Sequence, residues 1–231
     1  MMNKPEGENV IKRVYQSIKE RVTTGDFPPG ERLNIEQLAE QLRVSPTPVR
    51  ESLNRLVAEE LILMVPRMGF FMKSLLESEI RDLYEINQVL LDWSVLAVKN
   101  DQLRGGDIRF PEMSLFIDKL LQPGQLSPKC LVRITDDLFA HLATQSGNSE
   151  INLRVRNISD RLHYIRLCEC EMIDNPVEQL LPLCQLYDAR KYDELRQAIR
   201  VYHDERLGML QSVIKARKFC SNKVVGEEFG S

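Results

Sequence analysis

Residues Asn34 to Leu56, with the sequence NIEQLAEQLRVSPTPVRESLNRL, decide the fold of the first part of this chain. The stretch predicts two short helices that are joined by a tight turn. Asn34 can cap the first helix while Gln37 reaches back to it, as in a capping box. Ser45 stands at the cap of the second helix and Pro46 at its first position, where proline loses no hydrogen bond.

The second of these helices is amphipathic. The apolar residues that share one face at helical spacing are Val49, Leu53, Leu56 and Val57. The polar residues on the other face are Thr47, Arg50, Glu51 and Asn54. A short helix that exposes hydroxyl, guanidinium and amide groups near its N-terminus suits the major groove of DNA. The pattern therefore predicts a DNA-binding segment.

The flanking sequence predicts the rest of this first domain. Residues Val10 to Thr24 are spaced as an amphipathic helix, which the run GDFPPG at 25–30 ends. Two short apolar runs, Leu61–Val65 and Phe70–Lys73, flank a turn at Pro66–Gly69 and predict a β-hairpin. Three helices and a hairpin in this order predict a winged helix-turn-helix.

The remainder of the chain is predicted to be helical. From Ile80 onward, apolar residues recur at helical spacing and strand patterns are absent from the sequence. The dipeptides that break this spacing are Gly105-Gly106, Pro123-Gly124, Gly147-Asn148 and Asn175-Pro176. The predicted helices are listed here with approximate ends: Ile80–Lys99, Pro111–Leu121, Pro128–Gln145, a helix capped by Ser149 that reaches Ile173, one that starts at Pro176, and Tyr192–Phe219.

These patterns predict a mainly α protein with two domains. We expect a winged helix-turn-helix domain at residues 1–73, a linker at 74–78, an antiparallel bundle of about six helices at 79–220 and a disordered tail at 221–231. The formal net charge is -3, but residues 1–76 hold 11 Lys and Arg against 10 Asp and Glu. Positive potential for DNA must therefore come from a local patch.

Several other classes of protein are not favoured. No apolar run approaches the roughly 20 residues of a membrane span, and the N-terminus lacks the apolar stretch of a signal peptide. The five cysteines are therefore expected to be reduced thiols in a cytoplasmic protein without a membrane partner. Cys168 and Cys170 lack the spacing of a zinc site and are expected in or near the core.

Three segments together resemble the GntR family of bacterial transcriptional regulators: GDFPPGERL, the helix pair quoted above and the hairpin VPRMGFF. The resemblance runs almost continuously from Val10 to Lys73. The helical part is similar to the FadR subgroup and its FCD ligand-binding domain, through IRDLYEINQVLL, the tripeptide at Ser146–Asn148 and a last helix that carries a histidine.

The resemblance implies roles for individual residues in DNA binding. Those implied to enter the major groove are Ser45, Pro46, Thr47 and Arg50, although many relatives have arginine where this chain has Pro46. Arg43 and Arg32 are implied to contact phosphates, and Arg67 and Gly69 to contact the groove at the tip of the hairpin. The alternatives are that these arginines are only solvated, or that Arg50 pairs with Glu51.

The resemblance also implies a divalent metal site, from which this chain departs. In relatives the ligands are an aspartate, a histidine four residues later and two further histidines. Aligned on Ser146–Asn148, this chain has Thr135 and Phe139 at the first two positions, and only His203 matches. We therefore expect no cofactor. The alternative ligand set is Asp137, His141 and His203, with His163 as a further candidate.

A second departure concerns the charge of the ligand pocket. Asn87 stands where relatives that bind small carboxylates have arginine, and Leu91 replaces a glutamate. Exposed helix faces are expected for four arginines of the bundle: Arg133, Arg154, Arg161 and Arg166.

We therefore expect a sequence-specific transcriptional regulator rather than an enzyme. It is expected to act as a metabolite-responsive repressor that binds a palindromic double-stranded operator as a homodimer, with an unknown small-molecule effector. One alternative is a regulator whose bundle is purely structural and binds no effector. The enzyme alternative is a metal-dependent hydrolase that uses Asp137, His141 and His203.

Overall fold

The computed structural model describes residues 6–103, 113–122 and 126–217, which belong to two compact units. The first unit extends to Leu76, and the second covers Glu77–Arg217. Each unit has a hydrophobic core of its own.

The first unit combines helices with a small sheet. Its described elements are α1 (Glu6–Thr23), β1 (Arg32–Leu33), α2 (Ile35–Leu42), α3 (Pro46–Ala58), β2 (Ile62–Val65) and β3 (Gly69–Met72). On α1, the apolar residues Val14, Ile18 and Val22 recur at every fourth position, and all three are buried. They pack in one core with Val49, Leu53 and other residues of α3. The predicted winged helix-turn-helix is confirmed.

The sheet contains a strand that the sequence did not predict. The strand order of the sheet is β1-β3-β2, and both pairs of neighbouring strands are antiparallel. Arg32 of β1 pairs with Phe71 of β3, and the backbone N–H of Gly30 donates to the carbonyl of Met72 at 3.0 Å. A strand of two residues is too short for an alternating pattern, so only its pairing with β3 defines it.

The second unit consists of six helices within the described residues. They are α4 (Glu77–Leu103), α5 (Met113–Leu121), α6 (Pro128–Gln145), α7 (Ser149–Met172), α8 (Pro176–Asp188) and α9 (Tyr192–Arg217). The predicted number of helices is confirmed, and α6 has the predicted ends. Ser127 caps α6 by accepting a hydrogen bond from the backbone N–H of Cys130, and Pro128 follows it.

The starts of two other helices in this unit differ from the prediction. Helix α4 begins at Glu77, so the last two residues of the predicted linker are helical. Asn148, not Ser149, caps α7, because its side-chain oxygen accepts hydrogen bonds from the backbone N–H groups of Glu150 and Ile151. The predicted tail at 221–231, the end of the last helix at Phe219 and the breaks at 105–106 and 123–124 lie outside the described residues.

Among the helices of the described ranges, none combines the length and the apolar character that crossing a membrane requires.

Candidate nucleic-acid interface and the interior of the helical unit

The turn between α2 and α3 is closed by Arg43. This residue caps the C-terminus of α2 in a left-handed conformation, with φ of 54° and ψ of 49°. The backbone N–H of Val44 then donates to the carbonyl of Ala39 at 3.0 Å. Glycine is the usual residue at such a position because it has no Cβ. Here the chain instead places an exposed guanidinium at the turn.

The start of α3 exposes polar groups. Ser45 is its N-cap, but the Ser45 hydroxyl makes no capping hydrogen bond. Pro46 and Thr47 follow in the first turn of α3, and both are exposed. On α2, the Asn34 side chain accepts a hydrogen bond from the backbone N–H of Gln37 at 3.0 Å, which confirms the predicted cap.

Helix α3 is divided into a buried and an exposed face. Its buried residues are Pro48, Val49, Ser52, Leu53 and Leu56. The Ser52 hydroxyl donates to the carbonyl of Pro48 at 2.7 Å, so this polar group is satisfied inside the core. The exposed residues include Thr47, Arg50, Glu51 and Asn54, as predicted.

The hairpin brings Arg32 and Gly69 together. A Cβ atom placed on Gly69 would lie 3.8 Å from Nε of Arg32, an ordinary van der Waals contact. Gly69 has a φ of +106°, which side chains of L-residues rarely allow. At the tip between β2 and β3, Arg67 is exposed and adopts a φ of 64°. The backbone of the hairpin therefore depends on two positive φ angles.

The first unit carries a set of exposed arginines without ion-pair partners among the described residues. They include Arg32, Arg43, Arg50 and Arg67. By contrast, Arg55 pairs with Glu59 at 3.1 Å. The alternative that Arg50 pairs with its neighbour Glu51 is therefore not realised. These guanidinium groups provide local positive charge in a unit whose net charge is close to zero.

A polar cluster joins α1 to the C-terminal end of α3. The Tyr15 hydroxyl donates to the Glu59 carboxylate at 2.7 Å, and Lys19 Nζ donates to it at 3.1 Å. The Arg55 guanidinium lies 3.7 Å from the centre of the Tyr15 ring. Burial alone would raise the pKa of Glu59, but the hydrogen bond from Tyr15 and the charge of Lys19 bring this pKa below its ordinary value. The cluster fixes the orientation of α3 relative to α1.

In the second unit, the residues at the positions of the family's metal ligands do not fit a metal. Thr135 is buried, and its hydroxyl donates to the carbonyl of Leu131 at 3.0 Å. Phe139 stacks on the His203 ring. Neither a phenyl ring nor this hydroxyl replaces the carboxylate and imidazole that such a site requires.

His203 is held as a neutral core residue. Its Nδ1 lies 2.7 Å from the Ile199 carbonyl, which only accepts, so Nδ1 carries the proton. Its Nε2 then accepts a hydrogen bond from the Asn87 side-chain nitrogen at 3.1 Å. Burial lowers the pKa of His203 to about 3. Both ring nitrogens are therefore engaged with protein groups.

The alternative metal ligands have separate partners. His141 Nε2 lies 2.8 Å from the Tyr187 hydroxyl, and Asp137 lies 3.7 Å from Arg133. His163 pairs with Asp136 rather than Asp137. Across the ranges that the structure describes, three or more His, Cys, Asp or Glu side chains nowhere gather as a metal site would need.

Among the described residues, two arginines lie inside the second unit. Arg166, which we expected on an exposed face, is buried, because it forms an ion pair with Asp136 of α6. Arg206 of α9, which no pattern in the sequence singled out, is also buried, and its Nε lies 3.6 Å from Glu169. Arg206 follows His203 by three residues on α9, a spacing that could have indicated a shared helix face.

Some polar atoms of this buried cluster make no hydrogen bond with described residues. They are Nε and Nη2 of Arg166, Nε of Arg206 and Oδ1 of Asn87. Glu169 accepts from the Tyr84 hydroxyl at 2.7 Å, and burial raises the pKa of this carboxyl. The interior of the helical unit thus holds two donor nitrogens of Arg166 and an acceptor oxygen of Asn87 without a hydrogen bond to a described protein group.

Comparison with known proteins agrees with the geometry of the first unit. The family model described as bacterial regulatory proteins of the gntR family matches residues 10–72. The Nta operon transcriptional regulator of Aminobacter aminovorans is 30% identical over 189 residues, which cover 82% of this chain and 89% of that protein. The transcriptional repressor GlaR of Escherichia coli K12 is 30% identical over 93 residues, or 40% of this chain and 41% of that protein.

The fold is shared with a solved structure over most of both chains. The structure of E. coli McbR/YncC matches with a TM-score of 0.68 and 18% identity, and the match covers 88% of this chain and 97% of that one. Together with the relative from Aminobacter aminovorans, the match to the family model identifies the first unit as a DNA-binding domain. The chain belongs to the GntR family and is a DNA-binding transcriptional regulator rather than an enzyme.

Proposed function

We propose that this regulator is a FadR-subgroup repressor that binds a palindromic operator as a homodimer and responds to a small metabolite. The observation that carries the proposal is the set of unpaired guanidinium groups around the turn before α3 and on the hairpin. The repressor role is supported by the name of GlaR, which is similar over 40% of this chain.

In this proposal, the N-terminal part of α3 enters the major groove. Arg50 contacts a base edge or a phosphate, and the hydroxyl groups of Ser45 and Thr47 hydrogen-bond to the DNA. Pro46 contributes shape and van der Waals contact, since its ring has no donor. These side chains are exposed, and Ser45 does not use its hydroxyl as a cap.

The residues outside α3 anchor the protein to the DNA backbone and the adjacent groove. Arg43 at the turn and Arg32 on β1 contact phosphates, where a guanidinium can bind two oxygens. Arg67 at the hairpin tip reaches into the groove, and Gly69 permits close approach of the backbone. A dimer is proposed because two copies related by a two-fold axis match the symmetry of a palindrome.

We place the effector in the interior of the helical unit. Arg166 keeps Nε and Nη2 unpaired, and parallel N–H groups of this kind recognise paired oxygens. Asn87 keeps an unused acceptor. Since Asp136 and Glu169 balance the two buried guanidinium charges, a polar ligand with both donors and acceptors fits better than a simple anion.

The alternative is a bundle that binds no effector. Titration of the protein with candidate metabolites distinguishes it from this proposal. A metabolite that binds the interior should raise the melting temperature and change the operator affinity together. If no member of a broad metabolite panel changes either quantity, the bundle is purely structural.

The DNA-binding proposal is tested by selecting bound duplexes from a random library with the purified protein. We expect the selected sequences to contain a palindrome. Arg50→Ala should then weaken binding of that duplex by about 1–3 kcal/mol without lowering the melting temperature. Arg133→Ala serves as the control, because Arg133 is an exposed arginine of the second unit. Wild-type affinity of Arg50→Ala at physiological salt would contradict the assignment of α3.

A further inference from the structure

Helix α4 carries two apolar faces, of which only one is used within its unit. One face contributes buried residues such as Leu91, Val95 and Val98 to the core. The other face is exposed over four large apolar residues: Ile86 at 46%, Val89 at 61%, Trp93 at 44% and Leu96 at 36%. We call these four residues the outer seam of α4. A helix with apolar residues on two sides is typical of one packed on both sides.

The spacing of the outer seam is that of a helix–helix contact. Its members follow one another at intervals of three, four and three residues. The next position at this spacing is Asp82 on the N-terminal side and Asn100 on the C-terminal side, and both residues are exposed. Alternating intervals of three and four keep a stripe facing one partner helix along its length. The pattern therefore indicates a helical partner rather than scattered surface residues.

The outer seam is also symmetric about its centre. Val89 and Trp93 lie two residues on either side of Leu91, and Ile86 and Leu96 lie five residues on either side. An identical helix that runs in the opposite direction would therefore meet every apolar residue with another apolar residue. An interface between two identical copies needs this property, because the same patch must complement itself.

The polar ends of the seam favour the antiparallel direction. In that register, Asp82 faces Asn100 of the partner subunit, whose amide can donate to the carboxylate. A parallel pair would instead place two Asp82 carboxylates together, which is unfavourable. Near the centre, Asp92 already pairs with Arg196 at 2.7 Å and Arg200 at 3.0 Å, so its charge does not oppose a second copy.

We propose that the outer seam of α4 is the interface through which two copies of this chain pair, with their α4 helices antiparallel. Val89 of each copy then packs against Trp93 of the partner subunit. This inference rests on the proposed homodimer and names the surface that forms it.

Two single substitutions and their mixture test the interface. Val89→Glu and Trp93→Lys each bring a charge into the apolar seam, so each variant alone should dimerise at least about tenfold more weakly than wild type. When the two variants are mixed, the glutamate of one faces the lysine of the other, and a heterodimer should form. Sedimentation equilibrium with one variant fused to a tag measures all three associations.

Matched controls separate this inference from the proposed dimer. Leu153 on α7 is 60% exposed and lies outside the seam, so Leu153→Glu should dimerise like wild type. Trp93 is the single tryptophan of the chain, and its emission should shift to shorter wavelength as the wild-type concentration rises. Each variant should keep the far-ultraviolet circular dichroism of wild type, because its site is exposed.

Three results would overturn the inference. A wild-type dimer that persists unchanged in both single variants, or a mixture that gives no heterodimer, leaves the homodimer in place but assigns it to another surface. A wild-type protein that is monomeric at every concentration contradicts both the seam and the proposed homodimer.

Discussion

Phe139 of α6 stacks on His203 of α9, with ring centroids 5.8 Å apart and an interplanar angle of 23°. The family resemblance places metal ligands at both positions, and here an aromatic contact joins the two helices instead. The Arg166 guanidinium lies 5.4 Å from the centre of the same Phe139 ring. The interior of the helical unit is therefore held by ring packing and ion pairs.

Stability should fall in acid because His203 is buried in its neutral form. Its pKa is lowered from 6.5 to about 3. Between these two values, His203 is protonated in the unfolded chain but stays neutral in the folded protein. This histidine therefore contributes a loss of stability of up to about 1.4 kcal/mol per pH unit as the pH falls through that window. Urea unfolding between pH 8 and pH 4 measures the loss.

His203→Gln provides the comparison for this pH dependence. The variant should be less stable than wild type at pH 8 by about 1–3 kcal/mol, because it loses the ring stack and a buried hydrogen bond. The difference in the free energy of unfolding between the two proteins should become smaller as the pH falls, because glutamine does not titrate and only the wild type loses this stability. A difference that stays constant with pH would show that His203 is not neutral and buried in the folded protein.

Removal of divalent metal should leave this regulator unchanged. Both nitrogens of His203 contact protein groups, and Phe139 has no ligand atom. Dialysis against EDTA should therefore alter neither the melting temperature nor the affinity for the selected duplex. Elemental analysis of the untreated protein checks the premise. If the protein contains a stoichiometric ion and its removal lowers the melting temperature, the prediction is wrong and the helical unit binds a metal.

Arg43→Gly should separate stability from DNA binding. The left-handed backbone at Arg43 favours glycine, so the variant should be as stable as wild type or more stable by up to about 1 kcal/mol. Loss of a phosphate contact should nevertheless weaken operator binding and reduce the slope of log Kd against log salt by about 1.

Arg190→Gly is the matched control for this variant. Arg190 is exposed and has a φ of 57°, almost the same as that of Arg43, but it lies in the second unit. Its replacement by glycine should leave the salt dependence of DNA binding at the wild-type value. An unchanged salt slope in Arg43→Gly as well would remove Arg43 from the interface.

Two glycine-to-alanine substitutions should act in opposite directions. Gly69→Ala should destabilise the protein by about 1–3 kcal/mol, because a φ of +106° is strained for alanine although the space for a Cβ is open. Gly208 lies inside α9 with nothing near its Cβ position, so Gly208→Ala should stabilise by about 0.5–1 kcal/mol. Denaturant unfolding measures both. If both substitutions changed the free energy of unfolding by the same amount, backbone conformation would not explain their effects.

Local signals in the sequence predicted most of the secondary structure. The start of α6 was predicted correctly because Pro128 follows the break at Pro123-Gly124 and fits the first position of a helix. The paired helices around Arg43 were predicted for the same reason. Such signals depend on neighbours a few residues away, which the sequence alone displays.

The features that the sequence did not predict depend on contacts between residues far apart in the chain. Strand β1 exists because it pairs with β3, and Arg166 is buried because Asp136, 30 residues earlier, lies opposite it on α6. A buried charge requires a partner in space, and the sequence does not show which residues meet. The sequence by itself determined the DNA-binding fold and its exposed arginines, whereas the tertiary structure decided which charges and which rings fill the interior of the helical unit.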